Sequence, residues 1–231
     1  MNQKSNHICK NKAEKICLLG CSKGIKLANG LKNFYGFQSE KEIKKSFQIF
    51  KEIVEEDKEF NNKDAKHSLL LIGECYMQKG FEKEINLNKA IEYFEKSSNL
   101  GVSAAKHRIA KIYQKGNEMF GLKKNIRKAI QLFEESGDVG YSPSFYSLGC
   151  IYFKEDEIRN GNIFKSVKFF EKAIEMGDVS SYDDLAFIYQ FGSQDGDLKK
   201  DAEKAIDLFE KGAELGDLRC INNLAILYGS D

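Results

Sequence analysis

Apolar residues recur along the chain at i, i+1 and i+4, with charged or polar residues between them, a spacing that marks one face of a helix. Lys89-Ala90-Ile91-Glu92-Tyr93-Phe94-Glu95 is one such segment. It returns as Lys128-Ala129-Ile130-Gln131-Leu132-Phe133-Glu134 and as Lys204-Ala205-Ile206-Asp207-Leu208-Phe209-Glu210. Weaker copies are Lys165-Ser166-Val167-Lys168-Phe169-Phe170-Glu171 and Lys45-Ser46-Phe47-Gln48-Ile49-Phe50-Lys51. The anchoring residues Phe50, Phe94, Phe133, Phe170 and Phe209 are separated by steps of 44, 39, 37 and 39, a period in the range of stacked helix pairs. A strand-like alternation of useful length is absent, so the repeat is read as helical throughout.

The stretch after each anchor is stricter. Seven residues after the last four phenylalanines stand Gly101, Gly140, Gly177 and Gly216, and twelve further on stand Tyr113, Tyr152, Tyr189 and Tyr228. Nine beyond each glycine is a small residue, Ala110, Gly149, Ala186 or Ala225. The glycine predicts a helix stop in the left-handed conformation. A second helix is predicted to begin within a few residues, with Ser103, Ser142 and Ser180 as N-caps. In it Ile109 and Tyr113, or Leu148 and Tyr152, lie at i and i+4, and the small residue between them admits a neighbouring helix. Small residues three and four after the phenylalanine, such as Ser97 and Ser98 or Gly212 and Ala213, are read the same way. Turns carrying Gly80, Gly116 or Gly192 then restart the pattern. The Phe50 copy has Asp57 in place of the glycine, and Asp57–Lys63 reads as an insertion before Ile72, Gly73 and Tyr76. Neither helix of a pair can bury its apolar face alone, so successive pairs must stack into one extended core.

Composition fits this picture. Hydrophobic residues make up 42% of 231, enough for a core, and the one proline, Pro143, follows Ser142 at the first helical position, where proline is tolerated. Lys plus Arg (36) and Asp plus Glu (35) nearly cancel, which counts against a nucleic-acid binder. The longest apolar run, Leu69-Leu70-Leu71-Ile72, is far short of a membrane span. Met1–Lys12 is polar and lacks the apolar core of a secretory signal, so a reducing cytoplasmic location is expected.

The residues Leu148-Gly149-Cys150-Ile151-Tyr152 and Ile72-Gly73-Glu74-Cys75-Tyr76, together with Lys128 to Phe133 and Lys204 to Phe209, resemble the Sel-1-like repeat, a relative of the tetratricopeptide repeat. The resemblance covers about residues 40–229. It departs from the family in lacking tryptophan and in placing Ser166 and Val167 in the third full copy. The resemblance implies an all-α fold, a right-handed α-solenoid of antiparallel helix pairs with about five repeats and a concave inner face. Residues 1–39 match poorly and are read as an N-terminal helical segment, a degenerate repeat or cap in which Leu19-Gly20 marks a decayed first helix. Residues 40–231 form the repeat domain.

The family further implies a scaffold or adaptor for protein complexes, with a protein or peptide partner, no nucleic acid and no membrane insertion. In tetratricopeptide geometry the first helix of each pair lines the groove, two positions either side of the leucine-type residue and five beyond it. Transferred to this chain, that selects Glu74, Met77, His107, Lys111, Gln114, Tyr146, Cys150, Phe153, Asp183, Phe187, Gln190, Asn222 and Ile226 as concave-face residues. Tyr146, Phe153 and Phe187 are the aromatic anchors of that set, the kind of residue that dominates binding energy. The other reading is that these rings pack between repeats or on one another.

Residues that could carry chemistry form no constellation. Cys75, Cys150 and Cys220 are isolated from one another, and Cys9, Cys17 and Cys21 form no C-x-x-C, so thiols packed as small hydrophobes are expected and no metal site is assigned. His7, His67 and His107 read as surface or groove residues. Asp183-Asp184 and Glu155-Asp156-Glu157 read as a helix start and a solvated loop. No base, orienting partner and pocket can be assembled, so no catalytic residue and no cofactor is expected. A cysteine-rich branch of the family pairs cysteines within each repeat and includes members that bind or hydrolyse β-lactams; it is the enzymatic alternative, and the regular pairing is missing here. A further alternative is an architectural segment of a larger signalling or quality-control protein, because the chain stops three residues after Tyr228, between the two helices of a unit.

Overall fold

The computed structural model describes residues 25–36, 42–79, 81, 85–154, 162–193 and 198–229. The expectations for Leu19-Gly20, Gly80, His7, Cys9, Cys17, Cys21 and Glu155-Asp156-Glu157 lie outside the described residues. Within them are eleven α-helices and a 3₁₀ turn. The chain divides into two compact units, residues 1–124 and 125–231. The first unit contains α1 (Lys26–Tyr35), α2 (Ile43–Glu56), α3 (Lys63–Tyr76), α4 (Leu87–Asn99), α5 (Ser103–Lys115) and the 3₁₀ turn Glu118–Phe120. The second contains α6 (Ile126–Asp138), α7 (Pro143–Lys154), α8 (Ile163–Glu175), α9 (Ser181–Phe191), α10 (Ala202–Glu214) and α11 (Leu218–Tyr228). In each unit every helix packs on its neighbour in sequence, the arrangement expected of stacked helix pairs.

The second helices α4, α6, α8 and α10 start in one way. Asn86, Asn125, Asn162 and Asp201 stand at the N-cap, and each side-chain oxygen accepts the backbone N–H of the lysine three residues on, Lys89, Lys128, Lys165 or Lys204. One of the orphan donors of the first turn is thereby satisfied. These helices end at the expected glycines. Gly101, Gly140, Gly177 and Gly216 all have φ between 86° and 99°, and a Cβ added at any of them would meet nothing within 4 Å. Backbone conformation, not crowding, therefore selects glycine there.

The serine caps expected for the first helices are largely replaced. Ser103 is the first residue of α5, with Val102 before it. Ser180 makes no side-chain cap, and Asp178 instead accepts from the N–H and Oγ of Ser181 at 2.9 and 2.6 Å. An aspartate reaches across the turn as well as a serine does, and the serine pattern alone could not rank the two. Pro143 does open α7, directly after Ser142.

The core is a set of joints between small residues and rings. Phe50, Phe94, Phe133, Phe170 and Phe209 are all fully or almost fully buried. The Phe94 ring lies on Gly73 and the Phe170 ring on Gly149, so close that an added Cβ would sit 2.5 and 2.6 Å from ring carbons. Three residues past each ring, Ser97, Ser136, Ala173 and Gly212 are also buried, and the Ser97 hydroxyl donates to the carbonyl of Lys66 at 2.9 Å. Lys89, Lys165 and Lys204 lie over the rings of Tyr76, Tyr152 and Tyr189, at 5.0, 5.1 and 4.0 Å from the centroids.

The same joint reaches further toward the N-terminus than the pattern indicated. Phe50 packs directly on Gly30, so α1 and α2 form a pair of the same kind, and residue 39 falls between them. The pair was hidden because Asn33 stands where later first helices carry tyrosine. The turn after α2 also differs. Asp57 has a negative φ of −125° rather than a left-handed one, and its carboxylate accepts the N–H groups of Asn61 and Asn62. Lys63, expected in the inserted loop, is the first residue of α3.

Candidate protein-binding site

The residues selected for the groove sit on the first helices, and the two units present them differently. In the first unit Glu74 on α3 forms an ion pair with Arg108 on α5, a link from one repeat to the next. Burial raises the Glu74 carboxyl above the usual carboxylate range, and Arg108 partly opposes that shift. Met77, Lys111 and Gln114 are half-buried. His107 departs from the expectation of a surface or groove residue: it is only 6% exposed. Burial, then the neighbouring charges of Lys111 and Arg108, push its imidazole down to about 3, so it is neutral at physiological pH. It is buried on α5 in addition to Ala105, Ile109, Ala110 and Ile112, a burial the leucine register alone did not settle.

Glu74, Met77 and Lys111 do come together. With Arg108, Lys115 and Asn117 they rim a cavity of about 380 Å³ whose apolar wall is Leu87, Phe94 and Ile112. The rim carries three cationic side chains against one carboxylate.

In the second unit the selected residues split into a polar lattice and an aromatic cluster. The Tyr146 hydroxyl on α7 donates to Asp184 on α9 at 3.1 Å, and its ring is 5.8 Å from that of Phe170. Burial, above all, holds the phenol well above its usual range. Asp183 and Asp184 each lie 3.2 Å from the Arg219 guanidinium on α11. Asp183 also accepts from Asn223 at 2.6 Å, and Arg219 donates to the Ser180 carbonyl at 2.6 Å. Burial works against the Arg219 charge, but Asp183, Asp184 and Asp217 outweigh it and raise its pKa. Tyr146 and Asp183 thus bind repeat to repeat. They are not open anchors.

The aromatic cluster is more accessible. Phe153 on α7 meets Phe187 on α9 edge-on, with centroids 6.4 Å apart, and Phe187 meets Phe191 at 4.5 Å. Phe153 is half-buried, whereas Phe187 and Phe191 are 45% and 51% exposed. Gln190 and Cys150 beside them are half-buried, and Asn222 and Ile226 on α11 are exposed. Phe153 and Phe187 pack on one another and, with Phe191, still present aromatic surface to solvent. Phe191 was not selected from the sequence, although it lies at i+4 from Phe187 and so shares its face. Arg108 and Arg219 were also missed. Neither occupies a repeating position, and their partners lie in the neighbouring repeat.

The cysteines among the described residues behave as packing residues. Cys75 and Cys220 are buried thiols, pushed up to about 12 mainly by burial, and Cys150 is a half-buried thiol. No helix among the described residues is long and apolar enough to cross a membrane.

Comparison with known proteins supplies the family. The Sel1 repeat model matches at residues 67–102, 103–141, 146–178 and 179–217, and no curated protein matches. A Sel1 repeat protein from Oxalobacter formigenes superposes with a TM-score of 0.67 at 20% identity, over 89% of this chain and 78% of that one. The protective antigen c5321 of uropathogenic Escherichia coli strains, which displays an SLR fold, gives 0.62 at 22% identity, over 94% of this chain and 44% of its own length. The immunity protein Pa5087 from Pseudomonas aeruginosa gives 0.57 at 15% identity, over 87% of this chain and 72% of that one. The four matched repeats coincide with α3–α4, α5–α6, α7–α8 and α9–α10, and the chain belongs to the Sel1 repeat family, whose all-α solenoids are in general non-catalytic scaffolds for protein interaction.

Proposed function

We propose that this protein binds a protein or peptide partner on the first-helix face of its second unit, through the Phe153–Phe187–Phe191 cluster, without catalytic turnover. The observation that carries the reading is the exposure of Phe187 and Phe191, about half of each residue, on adjoining turns of α9, with Phe153 of α7 packed edge-on against Phe187. Clustered aromatic side chains with polar neighbours supply large contact area at low entropic cost, which is what binding hot spots require. The lattice of Tyr146, Asp184, Arg219 and Asp183 beside it fixes α7, α9 and α11 and leaves the cluster on a rigid platform. A cytoplasmic location, which the scattered thiols suit, forms part of the same proposal.

The test is a paired capture experiment from the native cell. The F153A/F187A double variant should lose the partner recovered by the wild type while keeping its helical circular dichroism. A photo-crosslinking residue at 191 should label that partner, and one at Phe164, exposed on α8, should not. Retention of the partner by the double variant, or labelling from 164 alone, would overturn the assignment. A chromogenic β-lactam assay on the same preparations checks for turnover, and hydrolysis above background would refute the non-catalytic reading.

A further inference from the structure

The cavity of the first unit has one wall of a single chemistry. Arg108, Lys111, Ile112 and Lys115 of α5 all line it, and at i, i+3, i+4 and i+7 they share one stripe of the helix. Leu87 and Phe94 of α4 and Met77, just past α3, add apolar surface. Against the three cations stands one carboxylate, Glu74, so the lining carries a surplus of positive charge. That carboxylate is already committed within the fold, mostly buried and paired with Arg108. Lys115 is exposed and has no ion pair among the described residues. The helix dipole favours a lysine in the last turn, which accounts for Lys115 but not for Arg108 two turns earlier. A second observation points to a ligand. Asn86, Asn125 and Asn162 cap helices with their side chains, whereas Asn117, at the N-cap of the 3₁₀ turn, caps nothing with its own. It lines the cavity half-buried, its backbone held by two hydrogen bonds to Leu122 at 2.6 and 3.0 Å.

The spacing of the charges selects the kind of anion. Arg108 and Lys115 lie about 10 Å apart along the helix axis, at about 1.5 Å per residue. An extended chain covers that distance in about three residues. A compact anion would have to draw both cations to one point, whereas carboxylates about three positions apart on a peptide meet them where they stand. Ile112 falls between the two cations, so the matching part of the peptide is apolar. The Asn117 amide can donate to a backbone carbonyl and accept a backbone N–H, which suits a peptide main chain. A volume of about 380 Å³ leaves room for a large apolar side chain. We propose that this cavity is a docking site for an extended acidic segment of another protein. One apolar side chain of that segment enters against Leu87, Phe94 and Ile112, and the flanking carboxylates meet Arg108, Lys111 and Lys115. The site lies wholly in the first unit and is cationic rather than aromatic, so it stands independently of the Phe153–Phe187–Phe191 cluster.

The probe is the peptide Glu-Glu-Leu-Phe-Glu-Glu, labelled with fluorescein at its N-terminus and amidated at its C-terminus so that no terminal carboxylate contributes. Fluorescence anisotropy with the full chain should show saturable binding. Glutamines in place of the glutamates should weaken it at least about tenfold, and so should alanines in place of the apolar pair. Added salt should weaken the glutamate peptide and leave the glutamine peptide unchanged. K115E should lower the affinity at least about threefold while helical circular dichroism is retained. K44E, the same charge change at an exposed position of α2 outside the cavity, should leave it unchanged. N117A should weaken binding several-fold and provides the measurement if K115E does not fold. F153A/F187A should bind the peptide as wild type does, so failure of this site and failure of the aromatic cluster register separately. Absence of saturable binding at millimolar peptide, equal affinity for the glutamate and glutamine peptides, or equal losses from K115E and K44E would overturn the proposal. A dimer in sedimentation velocity that K115E converts to monomer would overturn it in favour of a second copy as occupant.

Discussion

The helices α9 and α11 share a seam pattern and differ in what covers it. In α9, Leu185, Ala186 and Tyr189 are buried beneath α10, whose Phe209 is fully buried and whose Lys204 lies over the tyrosine ring. In α11, Ala225 and Tyr228 stand open to solvent, and the Tyr228 hydroxyl donates to Glu210 at 3.1 Å. The difference shows that the repeat letters encode a surface and the complementary helix that fits it as separate statements. Burial, and the stability that goes with it, arises only where the two meet. The same contrast appears two positions earlier in the register, where His107 of α5 is buried and Asn222 of α11 is exposed.

The largest effect should come from emptying a covered joint. F170A removes a fully buried ring from Gly149 and should cost about 3–5 kcal/mol in urea unfolding, whereas Y228A on the open face should cost under about 1 kcal/mol. Equal losses would erase the distinction between covered and open seams. Acid should then separate the two registers. His107 has a folded pKa of about 3, below its unfolded value near 6.5, so between those values the unfolded chain takes up a proton that the folded chain refuses. Its contribution is constant above about pH 6.5 and is lost as the pH falls toward 3, with a slope of at most about 1.4 kcal/mol per pH unit. H107Q should remove that slope relative to wild type, and N222Q should not alter it; both are read from urea midpoints between pH 4 and 8.

Overfilling sharpens the comparison from the other side. G149A forces a methyl group against the Phe170 ring and should cost about 1–3 kcal/mol, while A225L, adding more bulk at the matching open position, should change stability by less than about 0.5 kcal/mol. A similar penalty at both sites would mean that α11 is covered in solution. The smallest effect is local to the covering helix: N162A deletes the N-cap of α8 and should cost about 1 kcal/mol, detectable as a fall in thermal midpoint.

The helices, their period and the anchoring phenylalanines were legible in the chain because they depend on local periodicity and on backbone needs. A helix shows its apolar face every 3.6 residues, and Gly101, Gly140, Gly177 and Gly216 mark stops that only a residue without a Cβ adopts easily. The N-caps of α4, α6, α8 and α10 could also have been read, since Asn or Asp stands three residues before Lys89, Lys128, Lys165 and Lys204. The pair α1–α2 was obscured by the loss of one tyrosine, although its Gly30–Phe50 joint is intact.

Register placed the candidate partner-binding residues on the first helices of the pairs, but it could not say which would remain open. Tyr146 and Asp183 are engaged by Asp184 and by Arg219 and Asn223, His107 is turned inward, and Phe187 with the unforeseen Phe191 stays exposed. Those outcomes depend on contacts between residues about one repeat apart, such as Arg219 with Asp183 and Asp184. Such pairs carry no periodic signature and exist only once the helices have stacked. The sequence by itself determined the helices, their joints and the residue types that close them, because each comes from steric and hydrophobic demands within one repeat. Only the tertiary structure decided which faces are covered, because exposure is a property of neighbours that the local pattern does not name.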